Sequence, residues 1–212
     1  MAMTADDLEN VLSVRGTISR PLVAIVGTRN PSPEAAEAAF TVARMLAARG
    51  IGVVSGLALG IDGAAHRGCL AGGGRTVAVL GHGLDAPLYP PPHRALAEVI
   101  AGRGALVSPF EPEVTVTRAT LLARNRWIAA LARAVWVVQT GAPGGALSAA
   151  AHARSLGIPV LATAWDESRW VAGYQSLMKH GAEYVDLLTV FVRLQQLARE
   201  EASGETQGML AL

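Results

Sequence analysis

The chain predicts an α/β domain, a doubly wound and mostly parallel sheet with helices on both faces. Three observations lead there. Short, nearly continuous apolar runs alternate with longer helical patterns. The runs lack the in/out alternation of a half-exposed strand, as expected when helices cover both faces of a sheet. The clearest unit is Val53-Val54-Ser55-Gly56-Leu57-Ala58-Leu59-Gly60-Ile61-Asp62-Gly63-Ala64-Ala65-His66, where a β-branched run stops at Ser-Gly and a glycine-containing turn enters an Ala-rich helix. Such a turn brings backbone N–H groups to a helix N-terminus, where the dipole favours an anion.

Each element follows from the same reading. A first strand–turn–helix unit has a buried strand ending at Val26, the turn Gly27-Thr28-Arg29-Asn30-Pro31-Ser32, and a helix from Pro33. Strands are expected near 22–27, 51–55, 75–80, 104–108, 134–139 and 158–162. Helices are expected at about 33–49, 61–73, 92–102, 120–132, 145–156 and 173–180, then a short strand at 183–186 and a helix to about 201. Right-handed βα crossovers make this one Rossmann-like domain, with ligands bound beyond the C-terminal ends of its strands. The organisation expected is an N-terminal extension over 1–20, the domain over 21–186, a C-terminal helix over 187–202 and a flexible tail over 203–212.

Composition narrows the class. Of 212 residues, 51% are hydrophobic but only 5% aromatic, so the core must be built from Ala, Val and Leu. No apolar run reaches the roughly 20 residues that span a bilayer, and the polar, acidic start MAMTADDLEN does not read as a signal peptide. A single cysteine, Cys69, excludes an internal disulfide framework, fits a reducing cytoplasm and reads as core filler. The histidines show no metal-ligand spacing, so no metal or cofactor is expected. The net charge of +1 leaves room for a local basic patch, not for global attraction to nucleic acid.

Local chemistry concentrates in a few places. Arg29 sits on the first strand-to-helix turn, where a guanidinium can fork onto phosphate beside the N–H groups of Gly27 and Thr28. Arg118, Arg124, Asn125 and Arg126 gather about a helix start. Gly144 and Gly145 offer N–H groups at another helix start. Asp62 and His66, four apart on a helix, are expected to hydrogen-bond, with Asp62 capping the helix and orienting His66. No Ser or Cys nucleophile accompanies them, so no catalytic residue is assigned and a binding protein is expected.

From Leu22 to Val185 the sequence resembles the DprA/Smf family, the DNA-processing proteins of bacterial transformation. The resemblance rests on VAIVGTRNPS, VVSGLALGIDGAAH, TVAVLGHGLDAPLYPPPHRAL, RNRWIA and GGALSAA. It implies single-stranded DNA held by Gly27, Thr28, Arg29, Ser55, Gly56, Arg118, Arg124, Asn125, Arg126, Gly144 and Gly145, a role in recombination or repair, loading of the RecA recombinase, and a homodimer. Helical and winged-helix-like domains carried by full-length relatives are not expected in these 212 residues. Three departures thin the polar groups. Leu121 replaces the aromatic of the family's K-x-x-F-x-x-R-N-R segment, Leu59 the arginine of SGLARGID, and Gln139 an acidic residue before a hydroxyl-rich segment that keeps only Ser148.

Two alternatives remain open. The wider superfamily, which includes the LOG phosphoribohydrolases, places a nucleotide in the equivalent crevice, so a nucleotide-ligand sensor is one. LOG-type hydrolysis does not fit, because Ala, Leu and Ser follow Pro143-Gly144-Gly145 where a catalytic glutamate is needed. The other is an adaptor tethered to the replicative sliding clamp. Gln207, Leu210 and Leu212 are similar to the QxxLx(L/F) peptides that dock there, with two leucines to fill an apolar pocket.

Overall fold

The computed structural model describes residues 11–207, with side chains through 200. Eight strands form one mixed sheet: β1 (Ser13–Gly16), β2 (Leu22–Val26), β3 (Gly52–Ser55), β4 (Thr76–Val79), β5 (Ala105–Ser108), β6 (Val135–Val137), β7 (Val160–Ala162) and β8 (Glu183–Tyr184). Their order is β1-β5-β4-β3-β2-β6-β7-β8. All neighbours pair parallel except β1, which runs antiparallel along β5 with Ser13 opposite Ser108. The strand order reverses between β2 and β6. Crossovers on either side of that point leave to opposite faces, which opens a crevice above their C-terminal ends.

The helices are α1 (Pro33–Ala47), α2 (Ile61–Ala71), α3 (Arg94–Arg103), α4 (Arg118–Ala123), α5 (Asn125–Ala130), α6 (Gly145–Ser155), α7 (Ser168–Lys179) and α8 (Val190–Gln207). They cover both faces, as the strand pattern requires. In β2, Val23 and Ile25 enter the cluster under α1, α2 and α8, whereas Leu22, Ala24 and Val26 enter the cluster under α5, α6 and α7. A strand buried on both sides therefore reads as an unbroken apolar run. Trp136, fully buried in β6, donates its indole N–H to Thr163 Oγ1 at 3.0 Å.

Four differences from expectation stand out. Residues 1–20 are not simply an extension, because β1 lies within them. Its sequence SVRG is exposed along its whole length, so it carries no apolar pattern and is held by backbone pairing at the sheet edge. The helix expected over 120–132 breaks at Arg124, which ends α4 and opens α5 while its side chain turns into the protein. Helix α7 starts five residues early, at Ser168. Helix α8 continues to Gln207, so backbone expected as flexible tail from 203 is helical. Leu210 and Leu212 lie outside the described residues.

An Ala-rich core lets helices approach closely. Where α1 crosses α2, Ala35, Ala39, Ala43 and Ala47 are buried, and Gly68 lies against the backbone of Phe40. A Cβ on Gly68 would sit 2.8 Å from the Phe40 carbonyl carbon and Cα, so the helices would have to move apart. Helix propensity alone favours Gly68→Ala by ~1 kcal/mol. Overpacking against backbone outweighs it, and urea unfolding should show a net loss of about 1–3 kcal/mol. A stabilised variant would contradict this packing.

Candidate functional site

The C-terminal end of β3 leads into the loop from Ser55 to Gly60, and every turn of that loop is tied down. Ser55 is buried and its hydroxyl donates to Ile25 O at 2.7 Å. The N–H groups of Gly56 and Ala58 both donate to Asp62 Oδ2, at 3.1 and 3.3 Å. Between them Leu57 is fully buried with φ 59°, a left-handed conformation that costs an apolar residue about 1–3 kcal/mol. Two histidines hold it there. Leu57 N–H donates to His66 Nε2 at 3.3 Å, and Leu57 O accepts from His93 Nδ1 at 2.8 Å. Gly60 follows with φ 76° and packs on Arg29, whose carbonyl carbon would lie 2.7 Å from an added Cβ.

These contacts fix the tautomer of His66. Thr76 Oγ1 donates to Val53 O at 2.7 Å, so it must accept from His66 Nδ1–H, also at 2.7 Å. Nε2 is then free to accept from Leu57. Burial, reinforced by His93 and Arg124, lowers the His66 pKa from 6.5 to about 3, so the ring is neutral. The expected Asp62–His66 bond is therefore absent: each side chain has nearer partners. Asp62 does not cap α2 either, because its carboxylate reaches back to the loop.

Arg124 stands beneath the loop, 4% exposed. Its Nη1 donates to Gly56 O at 2.6 Å and also to Val79 O at the end of β4, and its Nε donates to Asn125 Oδ1 at 3.0 Å. Burial lowers its pKa to about 10 despite the attraction of Asp62, so the guanidinium is charged at neutral pH. For Asp62, burial raises the pKa, opposed by Arg124 and by the two loop N–H groups. Asn125 continues the chain of bonds, its Nδ2 donating to Gly145 O at 3.2 Å at the start of α6.

Above this floor is a small crevice. Arg29 and Arg124 line it, together with the backbone of Gly56 and Gly81 and the apolar Leu59, Leu121, Tyr89 and Pro90. Arg29 is exposed and close enough to Arg124 to lower that residue's pKa further. The structure thus brings Arg29, Gly56 and Arg124 to one site, with Leu59 and Leu121 beside them.

The other expected residues sit elsewhere. Gly27 is closed in by Ile61, and Thr28 N–H donates to Gln139 O at 2.8 Å. Arg118 and Arg126 are exposed on α4 and α5 outside the crevice lining, with Arg126 4.8 Å above the Trp127 ring. Gly144 and Gly145 stand at the start of α6, joined to the site through Asn125. Gln139 is buried and serves the α1 cap: its Oε1 accepts from Ser32 N–H at 2.9 Å and its Nε2 donates to Ser32 Oγ. Tyr89 and Pro90 escape sequence reasoning, because they arrive from the distant β4–α3 connection and carry no charge. Among the described residues no cluster of three or more His, Cys, Asp or Glu could hold a metal, and no helix is long and apolar enough to cross a membrane.

A Rossmann-like domain with a cationic crevice beyond the C-terminal ends of β2, β3 and β4 is built to hold anionic ligands such as phosphates. Comparison with known proteins makes this specific. The family model described as DNA recombination-mediator protein A matches residues 3–195, and the chain belongs to that family. It is 44% identical over 183 residues to a putative DNA processing protein DprA of Mycobacterium tuberculosis, covering 84% of this chain and 47% of that one. With the DNA processing protein DprA of Streptococcus pneumoniae it shares 37% identity over 142 residues, 67% of this chain and 50% of the relative. The chain thus spans about half the length of these curated relatives. The solved DNA processing protein A of Helicobacter pylori, whose structure describes a single-stranded DNA binding mode, superposes with TM-score 0.79 at 28% identity, over 87% of this chain and 86% of that one. A molybdenum cofactor carrier protein from Chlamydomonas reinhardtii, at 19% identity and TM-score 0.58, shares the fold alone.

The His66 network sets a pH dependence. Unfolded His66 titrates near 6.5 and folded His66 near 3, so in between the unfolded chain binds a proton that the folded chain does not. The stability it contributes is complete above pH 6.5 and declines as pH falls toward 3, by up to about 1.4 kcal/mol per pH unit. Urea titrations at pH 7, 5.5 and 4.5 should show wild type losing stability more steeply than His66→Gln, with the Asp62 contribution common to both. Equal slopes would mean that His66 protonates freely in the fold.

Proposed function

We propose that this chain is a DNA-binding recombination mediator that acts by holding single-stranded DNA, not by catalysis. The observation that carries the reading is the pairing of exposed Arg29 with buried, charged Arg124 in a crevice at the C-terminal edge of the sheet. Two guanidiniums there favour a phosphodiester, and the exposed Arg118 and Arg126 extend positive charge away from the crevice. Family membership and the named binding mode of the Helicobacter pylori relative support the same ligand. Loading of the RecA recombinase, a homodimer and a cytoplasmic setting belong to this proposal through the family resemblance. Neither the nucleotide sensor nor the clamp-tethered adaptor gains support from the relatives.

Arg29 is the informative residue to remove. Truncating Arg124 would strand Asp62 and two buried carbonyls, a loss of about 3–5 kcal/mol in fold stability that would obscure any effect on binding. Arg29→Ala leaves the floor intact. Fluorescence anisotropy with labelled oligo-dT should show weaker binding, about 5- to 10-fold at low salt, and a salt slope reduced by ~0.7 because one phosphate is no longer neutralised. Wild-type affinity and slope in Arg29→Ala would place the DNA elsewhere.

A further inference from the structure

Half of the crevice lining is apolar, and phosphate recognition does not account for it. Leu59 stands 41% exposed over the site. Leu121 lies against Gly81, where an added Cβ would be 2.7 Å from Leu121 Cδ2, so it is a packed wall with no planar face to offer. The aromatic surface in the lining comes from Tyr89, half-buried in the connection between β4 and α3. We propose that Tyr89 is the stacking platform for one nucleobase of a bound single strand, with Leu59 and Leu121 as the walls of its slot and Arg29 on the adjoining phosphate. This deepens the DNA-binding reading and rests on it.

The backbone that carries Tyr89 is held as a platform must be. Tyr89 N–H donates to His82 Nε2 at 3.2 Å, and His82 is buried. Because Nε2 accepts, Nδ1 carries the proton and donates to Gly83 O at 2.8 Å, while His82 O accepts from the buried Ser108 hydroxyl at 2.7 Å. On the other side, Pro90 O accepts from His93 N–H at 3.0 Å, and the His93 ring donates to Leu57 O. The Tyr89 backbone is thus anchored to β5 through His82 and to the 55–60 loop through His93. A residue fixed at both ends loses little freedom when a base stacks on it.

The chemistry of the lining agrees with one nucleobase beside one phosphate. An apolar slot with an aromatic face takes any base by its π-surface, so stacking without base-specific readout is the expected mode.

The test compares labelled oligo-dT with an abasic oligonucleotide of the same length, by anisotropy on wild type, Tyr89→Leu, Tyr89→Phe and Arg29→Ala. Stacking predicts that wild type prefers oligo-dT. Tyr89→Leu should weaken oligo-dT binding by about 5- to 150-fold, leave abasic binding unchanged, and so erase the preference, while Tyr89→Phe retains it. Circular dichroism of both Tyr89 variants checks the fold, and Tyr89→Phe keeps the test valid should Tyr89→Leu misfold, because a Phe variant that loses the preference contradicts stacking. Equal wild-type binding of both oligonucleotides, or an unchanged preference in Tyr89→Leu, overturns the inference. In those cases Arg29→Ala that still weakens both ligands leaves the DNA-binding reading standing. Wild type that binds neither oligonucleotide overturns both.

Discussion

The buried Arg124 guanidinium, set between the carbonyls of Gly56 and Val79 and facing the charge of Asp62, is the group around which the site is organised. Removing both charges from water is costly, and the cost is offset only because nearly every polar group finds a partner. Asp62 accepts two loop N–H groups, Arg124 joins the ends of β3 and β4, and Asn125 passes the connection to α6. The same network explains the left-handed Leu57. Its N–H and C=O are clamped by His66 and His93, so the strain is held by hydrogen bonds from two other elements.

In the proposed reading, stability and binding are divided among the arginines. Arg124 forms the floor and is committed to the fold, whereas Arg29 presents a guanidinium to solvent above it. Leu59 and Leu121, where the family pattern has a cation and an aromatic ring, do not leave the crevice empty. They convert part of it into apolar wall around Tyr89. A site with fewer cations and more apolar surface binds with less dependence on salt and more on the bases themselves. The modest net charge of +1 is consistent with that balance.

Much of the fold is legible in the sequence because it is local. Strands such as LVAIV read as buried runs, and their helices follow from Ala-rich periodicity and a Ser32 cap. What is not legible depends on distant partners. The edge strand β1 has no apolar pattern to read, since backbone pairing to β5 holds it. Arg124 looks like its neighbours Arg118 and Arg126 in sequence, yet of the three it is Arg124 that meets the ends of two strands. Asp62 and His66 have the spacing of a helical pair, but the competing partners are Thr76 and the Leu57 N–H for His66 and the loop N–H groups for Asp62. Tyr89 reaches the site from outside any charged motif. Each of these is a tertiary contact that one-dimensional spacing does not encode.

The most direct test of the crevice as the DNA site is hydrogen–deuterium exchange of the whole protein with and without oligo-dT. A crevice-bound strand predicts slowed exchange in the segments around 28–30, 56–60, 81–90 and 118–126, all at the C-terminal edge of the sheet, with β1 and α8 unchanged. Protection confined to β1, α8 or another surface away from that edge would contradict it.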